Sequence, residues 1–257
     1  MIPKEKASEI VEHLQEALRV GIDEFSLRRM ENEARTLLDI DQIMSRVALG
    51  LASALRKDEA GVHHHFQLAV SASSGEASIL GMWCGALQYL GAFAEAHAII
   101  QNQVKKHPEN AGIAFIAMQL AIRLTRIREA VQYLALAQKS GLDNRDITIV
   151  QRLVDNGVIK KLDKIHVTDE QLQCATVVFL ETLINFRLMP DLISIEASDD
   201  PDDVSLPILT YRITMAGGPE TIADAICDTI VKLNSEPEIR EDIFSVIMYT
   251  VEHVNHA

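Results

Sequence analysis

A repeat of about 34 residues between roughly positions 43 and 144 restricts this chain more than any other feature. Aligned without gaps, three segments place Phe66, Ile100 and Leu134 in one register. Val62, Ala96 and Ala130 share a second register, and Ala69, Gln103 and Ala137 a third. A unit of this length holds two short helices, which cannot bury their apolar stripes alone, so each unit must stack on the next. Stacks of this kind expose a long surface, and that geometry predicts binding of another molecule rather than chemistry.

The punctuation of the chain agrees with helical hairpins. Segment 4–20 carries Ile10, Val11, Leu14 and Leu18 at helical spacing, with Gly21 as its stop. A second helix is predicted over 24–38. Asp39 or Asp41 is placed to cap a helix running to Arg56, and Asp58 one running to Ser73. Helices over 76–90 and 93–106 are parted by Gly91. Pro108 disfavours helical geometry at His107, so 107–110 is a turn. The third pair falls at 111–124 and 126–140 and ends at Gly141. Segment 145–156 reads as one further helix, stopped at Asn156-Gly157, that covers the last open face.

The stretch 90–110 resembles the second half of a tetratricopeptide repeat, with Leu90-Gly91, Ala96 and Pro108 where that motif has them. Segment 124–141 is similar through Ile127, Ala130, Leu134 and Ala137, and the segment holding Leu49, Gly50, Phe66 and Ala69 is so more weakly. The pattern departs from the family in two ways. The small residue of the first helix is Gly50 in one repeat but Cys84 and Met118 in the others, and only one repeat has the closing proline. Small residues have a physical use beside the resemblance, since they let helix axes approach to about 8–9 Å.

After 144 the period is lost and the grammar changes. Residues 164–167 read as a short strand, and Thr168 with Gln171 as a capping box opening a helix to Arg187. Residues 192–196 alternate like a half-buried strand, 199–203 form a turn, and 209–214 return. Gly217-Gly218-Pro219 starts a helix to Leu233. Segment 244–254 is rich in β-branched residues and reads as a closing strand, although Ile243, Val246, Ile247 and Val251 also fit helical spacing. The order β-α-β-β-α-β is that of a ferredoxin-like domain. The predicted class is therefore a multidomain α and α+β protein: a TPR-like α-solenoid at 1–156, then a small ferredoxin-like α+β domain at 157–257.

Charge sets the second half apart. Of a net charge of −13, the whole excess lies after residue 164, where 17 acidic residues face Arg187, Arg212, Lys232 and Arg240. Such a surface repels nucleic acid and anionic lipid and favours a basic protein. No apolar run reaches the ~18–20 residues of a membrane span. The N-terminal stretch lacks the apolar core of a secretory signal, so a cytoplasmic location is expected. Cys84, Cys174 and Cys227 are far apart in apolar helical contexts and read as three buried small residues.

Chemistry-bearing clusters are few. His63-His64-His65 is conspicuous, but adjacent helical residues point about 100° apart and cannot converge on one ion. Glu59 precedes His63 by four residues, which is only one pair. Counting from Asp199, a calcium loop would need Gly and Glu where Val204 and Thr210 stand. Gly217-Gly218 lacks the spacing and Lys of a phosphate loop. No residue is assigned to catalysis, a cofactor or a metal.

What remains is surface. The resemblance implies a groove lined by the first helix of each pair, with Gln88, Tyr89, Phe115, Gln119, Ile122 and Arg123 as its contacts. It lacks the Lys/Asn pattern by which chaperone-binding members of that family grip a C-terminal carboxylate. An apolar groove suits an amphipathic helix or an extended peptide, unless the protein's own N-terminal helices or a second subunit fill it. Asp199, Asp200, Asp202 and Asp203 read as a solvated hairpin tip or as a contact point for a basic protein. The expected function is a non-enzymatic adaptor that binds other proteins, neither nucleic acid nor membrane, with self-association open. Two alternatives are a chaperone for a secreted or toxic protein, and a small-ligand sensor or enzyme in the C-terminal domain.

Overall fold

The computed structural model describes residues 3–141, 145–186, 188, 190–199, 207–215, 218–236, 239 and 243–253. The chain divides into two compact units, Met1–His107 and Pro108–Ala257.

The first unit is built from α1 (Pro3–Val20), α2 (Glu24–Thr36), α3 (Gln42–Leu55), α4 (Glu59–Ala72), α5 (Ala77–Tyr89) and α6 (Phe93–Lys106). Asp23, Asp41 and Asp58 cap α2, α3 and α4 by accepting from Ser26, Met44 and Gly61 N–H groups. α3 is the axis of this unit, with Val47, Leu51, Ala52 and Ala54 at most 1% exposed. It takes the apolar stripe of α1, namely Ile10, Val11 and Leu14, and packs closely against α4. A Cβ on Gly50 would stand 2.7 Å from the Phe66 ring, so the smallest residue of α3 faces the largest of α4. Of the positions aligned by the repeat, Val62, Ala96, Phe66, Ile100 and Ala69 are fully buried, whereas Gln103 is half-buried.

The second unit opens with α7 (Ala111–Arg123) and α8 (Ile127–Ala137), then α9 (Arg145–Asp155), α10 (Val158–Lys164) and α11 (Asp169–Asn185). The sheet strands β1 (Pro190–Asp199) and β2 (Pro207–Met215) follow, then α12 (Pro219–Ser235), the single turn α13 (Ile243–Val246) and β3 (Ile247–His253). Asn156 and Gly157, at φ 64°, end α9, and Thr168 with Gln171 makes the expected capping box on α11.

Three hairpin turns share one geometry. Asp58 N–H donates to Ser53 O at 2.9 Å, Ala92 N–H to Leu87 O at 2.9 Å, and Arg126 N–H to Ala121 O at 2.8 Å. The residue before each donor, Lys57, Gly91 and Thr125, is left-handed at φ 59°, 84° and 54°. This is a Schellman C-cap, and it recurs at the interval of the sequence repeat. The helices pack in hairpins compatible with a helical repeat.

Residues 164–167 are not a strand. Leu162 and Val167 are buried, His166 is left-handed at φ 58°, and Val167 N–H donates to Leu162 O at 3.1 Å. Val167, read as the end of a strand, instead pairs with Leu162 as the hydrophobic contact of another Schellman cap closing α10. The sheet among the described residues is therefore three-stranded and mixed, in the order β1-β2-β3. β1 and β2 are antiparallel, with Ile195 opposite Tyr211, whereas β2 and β3 are parallel, with Tyr211 opposite Tyr249. In the ferredoxin-like arrangement the missing strand would lie between the two parallel ones. Without it they pair directly, and α12 is the crossover.

Segment 243–253 splits between the two readings its sequence allowed, one helical turn followed by strand. One face of β2 is buried through Leu209, Tyr211, Ile213 and Met215. Phe179 of α11 packs edge-on to Tyr211 and lies 4.4 Å from the Tyr249 ring centroid. Tyr211 Oη donates to Arg123 O at 2.6 Å, tying β2 to α7, and burial pushes this phenol's pKa up. Of the cysteines only Cys84 is buried; Cys174 is half-buried and Cys227 exposed. α12 buries Ile222, Ala225, Thr229 and Leu233, a stripe that leaves position 227 on the outer side.

Candidate functional site

The residues predicted to line a groove fall into different situations. Gln88 and Tyr89 close α5 in the first unit. Gln88 Nε2 donates to Cys84 O at 3.1 Å. Lys57 Nζ stands 3.7 Å over the Tyr89 ring and donates to Tyr89 O at 3.1 Å, so an ammonium covers this aromatic face. Desolvation raises the Tyr89 phenol and lowers the Lys57 amine.

In the second unit Phe115 and Ile122 are 7% and 2% exposed, packed inside rather than presented. Gln119 Nε2 donates to Asp146 Oδ2 at 2.6 Å and so joins α7 to α9, while Arg123 is exposed. Asp199 ends β1, and Asp200, Asp202 and Asp203 lie outside the described residues.

A cavity of about 500 Å³ lies elsewhere in the second unit, between α9 and β1. Arg145, Thr148 and Arg152 line one wall at helical spacing, with Asn156 just beyond α9. Ser194, Ile195, Glu196 and Ala197 of β1 line the other. A second cavity of about 220 Å³ shares Asn156 and Ala197 and continues past Lys161.

Among the described residues β1 is an edge strand. Asn156 Nδ2 donates to Ala197 O at 3.4 Å, so this carbonyl is reached from the α9 side. The alternation of an antiparallel ladder turns the main-chain groups of Ile195 and Ile193 to the same side. Glu196 pairs with Arg212 across the sheet at 3.5 Å, whereas Arg145 and Arg152 are exposed and make no ion pair among the described residues. The groove therefore combines a strand edge with no strand partner and two guanidinium groups with no ion pair among the described residues. Sequence reasoning missed it because α9 and β1 are brought together only by packing. The one local sign was the recurrence of Arg145, Thr148 and Arg152 on one helical face.

Elsewhere, cations and carboxylates bind α8 to the segment after it. Arg126 reaches Glu129, Gln173 and Glu170. Arg128 reaches Asp163, Asp169 and Val167 O. These contacts satisfy one another and read as structural.

Among the described residues no helix is long and apolar enough to cross a membrane. Comparison with known proteins finds no family model that matches the chain, and no curated protein or solved structure matches it.

Proposed function

We propose that this chain is a non-enzymatic protein-interaction scaffold of the TPR-like kind, and that its peptide seat is the groove between α9 and β1. The occupant is an extended acidic segment of another protein, which adds a strand along β1 and directs carboxylates at Arg145 and Arg152. The observation that carries this reading is the edge of β1, without a strand partner among the described residues, beside those two arginines. Strand addition draws affinity from main-chain hydrogen bonds and specificity from alternate side chains. Exposed guanidinium groups add a salt-sensitive attraction.

This moves the seat away from the α5 and α7 positions named from sequence, because Phe115 and Ile122 are interior and Tyr89 is covered by Lys57. The test is fluorescence anisotropy with a labelled ten-residue peptide of alternating Val and Glu, against its Val/Lys counterpart. The Glu peptide is expected to bind, to weaken with salt, and to lose about tenfold in affinity in the double variant Arg145→Glu/Arg152→Glu. Methylating alternate backbone nitrogens should abolish binding. Equal binding of the Lys peptide, or full retention by the double variant, would overturn the assignment.

A further inference from the structure

We propose that Glu59, His63 and Glu95 form a binding site for a first-row divalent cation, Zn²⁺ in the first instance. Glu59 and His63 stand one helical turn apart on α4, and Glu95 lies in the first turn of α6. His63 Nε2 is 3.2 Å from Glu95 Oε1 and 4.0 Å from Glu59 Oε1, and one donor atom from each residue lies within 4.8 Å of the others. Donors bound tetrahedrally at about 2.0–2.1 Å stand roughly 3.3 Å apart. The His63–Glu95 distance already has that value, and Glu59, with a side chain 61% exposed, is free to rotate inward.

A hydrogen-bonded pair alone accounts for less of this arrangement. One ring nitrogen carries at most one proton and satisfies one carboxylate. Here two carboxylates converge on the same nitrogen, and their mutual repulsion favours a cation between them. A neutral imidazole with two carboxylates supplies three ligands and a charge of −2, matched to a divalent ion with water in the remaining position. One imidazole nitrogen among oxygens suits Zn²⁺ and Co²⁺ better than Mg²⁺ or Ca²⁺. The histidine triplet itself does not converge: His65 Nδ1 lies 3.4 Å from Arg46 Nη1, and His64 is exposed. Only the first of the three meets the carboxylates.

The molecule carries its own reporter. Trp83 is the sole tryptophan, and its ring lies 5.8 Å from that of His63. Untagged full-length protein, stripped with chelator, is titrated with Co²⁺ in excess Mg²⁺, which occupies carboxylate-only sites elsewhere on this acidic chain. Trp83 fluorescence should be quenched to saturation at one equivalent and be restored by Zn²⁺. Zn²⁺ should also raise the melting temperature, because the ion binds only where α4 and α6 are folded.

His63→Gln should abolish the quenching, Glu95→Gln and Glu59→Gln should each weaken it about tenfold, and His64→Gln should leave it unchanged. The carboxylate variants keep the test open should His63→Gln fail to fold. Quenching that does not saturate, that survives His63→Gln, or that is lost equally in His64→Gln would overturn the site.

Discussion

Gly50 shows how a departure from a motif is absorbed by its neighbour. At the equivalent place in the three hairpins stand Gly50, Cys84 and Met118, and the inward positions of the second helices are Phe66, Ile100 and Leu134. The smallest residue is matched with the bulkiest ring. Gly50→Ala drives a methyl into an aromatic ring that cannot yield, and the expected loss is about 1–3 kcal/mol in urea denaturation. Phe66→Leu in the same chain should return part of that loss, as a coupling between touching residues. Simple additivity of the two changes would mean that the backbone, not the ring, accommodates the methyl.

At the scale of elements, the Schellman caps at Lys57, Gly91 and Thr125 set where each hairpin reverses. Only Gly91 announced its conformation in the sequence. Lys57 and Thr125 adopt it against an intrinsic cost of roughly 1–2 kcal/mol each. The cap at His166 explains why 164–167 misled: Ile165 and Val167 flank a polar residue, and four positions do not separate strand alternation from a helix end.

The junction of α8 with α11 is electrostatic. Burial raises the Asp169 carboxyl above its ordinary pKa, although the Glu129 N–H and the Arg128 guanidinium pull it down. A folded pKa above the unfolded one means that ionisation costs stability as pH rises past about 4. Arg128→Ala is therefore expected to destabilise by about 1–3 kcal/mol at pH 7, and by less at about pH 3, below the ordinary carboxylate range, where a protonated Asp169 needs no cation. Equal losses at the two pH values, measured by urea titration, would show that Arg128 acts through packing alone.

Across the whole molecule the dominant imbalance is charge. All of the −13 resides after residue 164, so like charges crowd a segment that folds into α11, the sheet and α12. Self-repulsion opposes compaction and is screened within about 10 Å at 0.1 M salt. The melting temperature followed by circular dichroism should rise from low salt to 0.1 M NaCl. A fall would mean that the ion pairs of Arg126 and Arg128 outweigh the repulsion. The same screening should weaken the acidic peptide in the α9–β1 groove, which separates the behaviour of the site from that of the fold.

Contiguous residues carried the local decisions. Asp41 and Asp58 as caps, Gly91 and Gly157 as stops, the Thr168–Gln171 box, and the inward registers of Val62, Ala96 and Ala130 all depend on neighbours in the chain. These signals act over one or two helical turns, within reach of periodicity and turn chemistry. Packing decided the rest: the burial of Phe115 and Ile122, the direct pairing of β2 with β3, the arginine stripe beside β1, and Glu95 against His63. Each of these requires two surfaces distant in the chain to meet. A residue's own pattern shows that it has an apolar or charged face, and only the closed fold determines what that face touches.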